Sequence, residues 1–153
     1  MNAPDFIKQG NDAFRVTYAR KDDLCALHGG DPSQVAPVVA TIGDDIAVVR
    51  CGETPADSRK GPVYVDTRSG ALAIPTGRVF VRFTTGTDPA TQRDMIEHTG
   101  FRIVEVPPYS SASAWVEPLS GDIADGVARR DLLLAIRGVE GAELELLRSS
   151  RTT

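Results

Sequence analysis

Histidine and cysteine are scarce in this chain of 153 residues, with two of each. A zinc site takes three or four converging Cys, His or acidic ligands. The only close pair is Cys25 with His28, and no second pair stands beside it. No metal and no cofactor is expected. Two cysteines are too few for a disulfide framework, so Cys25 and Cys51 read as small buried thiols of a reduced, cytoplasmic protein. The opening Met1-Asn-Ala-Pro-Asp-Phe-Ile-Lys-Gln-Gly10 has no basic segment followed by an apolar one, so no signal peptide is expected. No apolar run approaches the roughly 18 residues that span a bilayer. GxSxG, P-loop, GxGxxG and HExxH strings are also missing. A cysteine nucleophile would lack both a base and an oxyanion hole. Asp22-Asp23 and Asp44-Asp45 read as turn and capping residues rather than an acid/base pair. Ser110, Ser111 and Ser113 follow two prolines and read as loop. An enzyme is the least expected class.

Excess basic charge is lacking too. The chain carries 17 Lys and Arg against 21 Asp and Glu, a net charge of −4. Divided at Gly77, the halves hold 8 basic and 10 acidic residues, then 9 and 11. Neither half can neutralise a phosphate backbone, so no nucleic-acid partner is expected. With 41% hydrophobic and 25% charged residues the composition is that of an ordinary globular protein.

Residues 1–12 read as a polar, frayed start. The segment 13–77 reads as a small β-rich α+β subdomain. Phe14-Arg-Val-Thr-Tyr18 alternates and suits a strand. Asp22-Asp-Leu-Cys-Ala-Leu27 suits a short helix ended by Gly29-Gly30. Gln34 to Ile42, broken by Pro37, suits an edge strand, and Gly43-Asp-Asp45 a turn. Ile46-Ala-Val-Val-Arg-Cys51 is a clear strand. Thr54 to Lys60 suits one helical turn with Thr54 as N-cap and Pro55 next to it. Val63-Tyr-Val-Asp66 and Ala71-Leu-Ala-Ile74 suit a hairpin around Arg68-Ser-Gly70. The order is that of a degenerate β-α-β-β-α-β unit.

Pro75-Thr-Gly77 marks the expected boundary, and 78–148 reads as one α+β, ferredoxin-like βαββαβ sandwich. Arg78-Val-Phe-Val-Arg-Phe83 alternates with period two. Val79, Val81 and Phe83 share one face; Arg78, Phe80 and Arg82 share the other. Asp88-Pro89 starts a helix over 89–98 that turns Met95 and Ile96 inward and ends at Gly100. Phe101 to Val106 and Ala114 to Glu117 are the next strands, joined across Pro107-Pro108-Tyr109. Asp122 caps a helix from Ile123 to Arg137 with Ile123, Val127, Leu132, Leu133 and Leu134 on its apolar face. After Gly138, Val139 to Leu147 forms the last strand. The polar residues 149–153 form a tail. Trp115 reads as core or as an exposed binding anchor.

The string Arg78-Val-Phe-Val-Arg-Phe, Gly86-Thr-Asp-Pro, Met95-Ile, Gly100-Phe-Arg-Ile-Val, Ala114-Trp-Val and Leu134-Ala-Ile-Arg-Gly-Val-Glu-Gly-Ala-Glu143 resembles the N-terminal prodomain of subtilisin-like serine proteases. The closing Gly138-Val139-Glu140 with Ala142-Glu143 is its most telling piece. The β-rich stretch holding Ile46 to Arg50 and Val63 to Asp66 resembles the segment that precedes the prodomain in some bacterial members. In that family the domain is an inhibitor and folding chaperone. Its sheet packs on a pair of protease helices, and its C-terminal tail lies product-like in the active-site cleft.

The resemblance implies a free sheet face offering Phe80, Arg82, Trp115, Glu117, Glu143 and Glu145 to a partner. It also implies a tail of Leu146, Leu147, Arg148, Ser149, Ser150 and Arg151 that adds to the protease's strands. A one-residue slip in register would exchange the faces. No protease domain follows before Thr153, so the expected role is a non-catalytic protein-binding module acting in trans on a separate, neighbouring-gene protease, without a membrane or nucleic-acid partner. The alternative is a non-inhibitory adaptor or oligomerisation protein, including a homodimer. A small-molecule regulatory domain of the same topology is a third reading.

Overall fold

The computed structural model describes residues 3–10, 15–29, 38–42, 46–53, 59–108 and 112–148. It is an α+β fold, with a mostly antiparallel sheet of nine strands and two α-helices among the described residues. The chain divides into two compact units. One is built on Gly77–Glu145; the other on the described residues of Pro4–Thr76 with 146–148. The expected strand start at Phe14, the turn at 43–45 and most of the helical turn at 54–60 lie outside the described residues.

In the N-terminal unit, β1 (Phe6–Gln9) runs antiparallel to the start of β2 (Val16–His28). Further on, β2 is flanked on both sides, by β4 (Ile46–Arg50) and by β5 (Arg59–Asp66), with a register shift between Arg20 and Cys25. The edge strand β3 (Ala40–Ile42) pairs with β4. The helix expected over 22–27 is therefore strand. Cys25 to His28 pair with two neighbours and Leu24 with one, and that pairing overrides a weak local preference. Ala26, Ile46, Val48, Val63 and Ile74 form the core, with Leu24, Ala40, Ile42, Leu72 and Leu147 packed against them. Lys60, expected in a helical turn, lies in β5.

β5 turns into β6 (Leu72–Phe83) with Tyr64 opposite Ala73. Asp66 builds the turn. Its carboxylate accepts from the Arg68 and Ser69 amides at 2.9 and 3.4 Å, and its carbonyl accepts from Gly70 N at 2.8 Å. Gly70 takes φ +77°, which few other residues adopt without strain. Pro75-Thr-Gly77 does not interrupt the strand. Pro75 falls between the β5 ladder, which ends at Ala73, and the β8 ladder, which begins at Val79.

In the C-terminal unit, β6 leads to a 3₁₀ turn (Pro89–Gln92), α1 (Arg93–His98), β7 (Phe101–Glu105), β8 (Ser113–Pro118), α2 (Ile123–Leu134) and β9 (Val139–Arg148). The strand order is β9-β6-β8-β7. Asp88 caps the 3₁₀ turn by accepting from Ala90 N, and Asp122 caps α2 by accepting from Ala124 N. Val79, Val81, Phe83, Ala114, Val116, Ile96, Phe101, Ile123, Val127 and Leu133 are buried.

Three helical expectations are corrected. The α-helix within 89–98 occupies only its last six residues. Met95 is exposed while the adjacent Ile96 is fully buried. In α2, which stops at Leu134, Leu132 and Leu134 are exposed and Leu133 is buried. Gly126 decides this. A Cβ there would meet the Gly77 carbonyl oxygen at 2.7 Å, so only glycine allows this approach. Position 133, two turns on from Gly126, lies on the same side of the helix.

Candidate functional site

The expected sheet-face residues share one surface of the C-terminal unit. Phe80 lies directly opposite Trp115, and Val79 opposite Val116, so the aromatic pair stands on the face away from the buried valines. The two rings stack with centroids 5.0 Å apart and planes tilted by 58°. The Arg78 guanidinium covers the indole at 5.0 Å from its centroid, a cation–π contact. Both rings are half-buried.

Charge is arranged around this pair. Arg78 reaches Glu105 at 3.7 Å and Glu117 at 3.8 Å; Arg102 shares Glu117 at 3.3 Å; Arg82 reaches Glu143 at 3.9 Å. Arg82 can lie across β9 because position 141 is glycine. A Cβ there would sit 2.7 Å from its Nη2. The pairs are partly exposed, and each contributes about 0–1 kcal/mol. Their larger effect is to hold long side chains in place around the rings.

Phe80, Arg82, Trp115, Glu117, Glu143 and Glu145 were expected on the free sheet face that the prodomain resemblance implies. Alternation along β6 and β7 also places Arg78 and Arg102 on this face, but not Glu105. A register shift between Ile103 and Glu105 sets Glu105 opposite Trp115, and nothing in the local sequence signals it. Ser113, expected in loop, opens β8 and is buried.

Comparison with protein-family models, with curated proteins and with solved structures gives no match. The prodomain resemblance rests on the quoted residues alone.

The expected tail is only partly a tail. Leu146, Leu147 and Arg148 belong to β9, while Ser149, Ser150 and Arg151 lie outside the described residues. Leu147 packs against the N-terminal core. Arg148 lies over the Tyr18 ring, 5.5 Å from its centroid, and donates to the Tyr18 hydroxyl. It also stands 4.0 Å from the Asp66 carboxylate. Asp66 is held below its ordinary pKa, first by the Arg68 amide, against the effect of burial, with help from Ser69 and Arg148. Burial raises the Tyr18 pKa. A buried carboxylate and a core leucine thus anchor the end of the last strand.

The cysteines correct the sequence reading outright. Cys25 and Cys51 form a disulfide, so neither is a free thiol. The register explains it: Cys25 lies opposite Val49 in the β2–β4 ladder, and Cys51 follows two residues later, just past the end of β4 in a 3₁₀ turn (Cys51–Glu53). Among the described residues no three of His, Cys, Asp and Glu gather as metal ligands. No helix there is long and apolar enough to cross a membrane.

Proposed function

We propose that this protein is a non-catalytic protein-binding module whose contact surface is the aromatic and charged sheet face of its C-terminal unit. One observation carries the reading: Phe80 and Trp115 stack on a half-exposed face, flanked by Arg78, Arg82, Glu105, Glu117 and Glu143. A central aromatic anchor with a polar rim is how binding energy concentrates at protein interfaces. We read the unit as ferredoxin-like. The order β9-β6-β8-β7, with a helix after its first and third strands, supports this.

The prodomain resemblance makes a separate subtilisin-like protease the proposed partner. The anchored end of β9 favours the non-inhibitory, adaptor form of this reading. Leu147 and Arg148 would have to leave the Ile74 core cluster and the Tyr18–Asp66 pair before a tail entered a cleft. The Cys25–Cys51 bridge supports an oxidising compartment over the cytoplasmic expectation.

The test measures binding and inhibition together, using the full chain and a subtilisin-like protease. Trp115→Ala and Phe80→Ala should each weaken the complex by roughly 2 kcal/mol or more, about thirtyfold. Deleting 149–153 separates the two forms: lost inhibition supports the inhibitor, and a complex that never inhibits supports the adaptor. Binding indifferent to both aromatic truncations would remove this face as the contact surface. A protease that forms no complex removes it as the partner.

A further inference from the structure

A groove also lies on the C-terminal unit, lined by neither Phe80 nor Trp115. The loop after β6, the first helical turns and the connection from α2 to β9 line this open groove of about 470 Å³. Its size falls in the range of small-ligand sites, roughly 300–1,000 Å³. Thr84 N donates to the Gly138 carbonyl at 2.9 Å and closes one end. Gly138 takes φ +95°, and its bare α-carbon leaves room for the Gln92 amide, 3.3 Å from where a Cβ would stand.

The lining is chemically one-sided. Among the described residues that line it, Arg137 supplies the only charge, Gln92 an amide, and Thr84 and Thr87 two hydroxyls. No carboxylate lines the groove among the described residues. The two hydroxyls bond each other at 2.8 Å, which spends one hydroxyl proton and leaves the other to donate. Arg137 is exposed and has no ion-pair partner among the described residues. Met95 and Ile136 supply an apolar wall, and Met95 is the exposed thioether that helix packing leaves unused.

We propose that this groove binds a carboxylate carried on a short apolar group. One planar guanidinium matches one carboxylate with two parallel hydrogen bonds. A phosphate dianion would call for more cationic charge than the single Arg137. The apolar group rests on Ile136 and Met95, whose flexible side chain adapts to branched shapes. The chemistry is shared by a free small acid and by the C-terminal residue of a peptide. The proposal does not rest on the aromatic sheet face.

Titration calorimetry and amide NMR on the full chain test it, with N-acetyl-leucine against N-acetyl-leucinamide. The acid should bind about tenfold or more tightly than the amide, the effect of one charge-assisted pair. Shifts should map to Thr84, Thr87, Gln92, Ile136 and the Met95 methyl. Arg137→Gln should remove the preference for the acid, and Arg137→Lys should restore part of it. Met95→Glu, at an exposed position, should repel the acid without disturbing the fold. 4-Methylpentanoate and an acetylated peptide ending in leucine then distinguish the two sources by which binds more tightly. Equal binding of acid and amide, no binding, or shifts confined to other residues would overturn the proposal.

Discussion

Two glycines offer the same nominal overlap and opposite consequences. A Cβ on Gly126 would stand 2.7 Å from the Gly77 carbonyl oxygen; a Cβ on Gly141 would stand 2.7 Å from Arg82 Nη2. Ordinary contact begins at 3.4 Å, so each alanine is short by 3.4 − 2.7 = 0.7 Å. Gly126→Ala gains about 0.8–1 kcal/mol of helix propensity. Its clash is with strand backbone, which moves only if α2 lifts from the sheet, and such overpacking costs about 1–3 kcal/mol. Because backbone rather than a flexible side chain is met, about 2–3 kcal/mol of that range applies, and a net loss of roughly 1–2 kcal/mol follows, seen as a Tm lower by roughly 3–6 °C. Gly141→Ala meets the end of a flexible, half-exposed side chain. Arg82 swings away, loses a pair contributing about 0–1 kcal/mol, and the strand recovers about 0.5–1 kcal/mol of backbone entropy. Its Tm should stay within about 2 °C of the parent. Differential scanning calorimetry on both variants gives the answer. A Gly126→Ala protein at or above the parental Tm would refute the reasoning, because α2 would then not be seated on Gly77. Gly141→Ala adds a functional readout: displacing Arg82 from Glu143 should alter partner binding while stability stays level.

Stability should fall at both ends of the pH scale. Asp66 and Asp125 both have pKa values below the ordinary 3.8. For Asp125 burial opposes ionisation, and bonds from Arg129 and Ser120 overcome it. Lowered carboxylates stabilise fully above the unfolded value and cease to do so as pH falls through the folded one, so urea midpoints should drop below about pH 4. Asp66→Asn should blunt that drop. Tyr64 runs the other way: burial pushes its pKa up to about 12, and its hydroxyl donates to the Pro4 carbonyl at 2.6 Å. Its contribution is complete below the unfolded value and is lost as pH rises from about 10 to 12. Tyr64→Phe should remove that alkaline step. Reduction, or Cys25→Ser with Cys51→Ser, should cost roughly 3–4 kcal/mol for a closed loop of this length; unchanged denaturant midpoints would show that the bridge constrains nothing.

What could be read from sequence was local. Period-two alternation in 78–83 assigned Val79, Val81 and Phe83 to one face and Phe80 and Arg82 to the other, because side chains on a strand point to opposite sides. Asp88 and Asp122 announced helix starts, and Gly100 the end of α1, because caps depend on a few neighbouring residues. Hidden from sequence was everything decided by pairing at a distance. Leu24 to Leu27 reads as helix when isolated and becomes strand because β4 and β5 hold both its edges. Cys25 and Cys51 meet only because that ladder brings them within reach of each other. Glu105 joins Trp115 through a register shift.

The candidate site divides along the same line. The chain by itself determined which residue types lie on the exposed sheet face. Only the tertiary structure decided that Phe80 and Trp115 would stack, that glycine at 141 would let Arg82 cross to Glu143, and that Leu147 and Arg148 would be anchored rather than loose. Each of these depends on register between strands far apart in sequence, and register is set by the packing of both partners together.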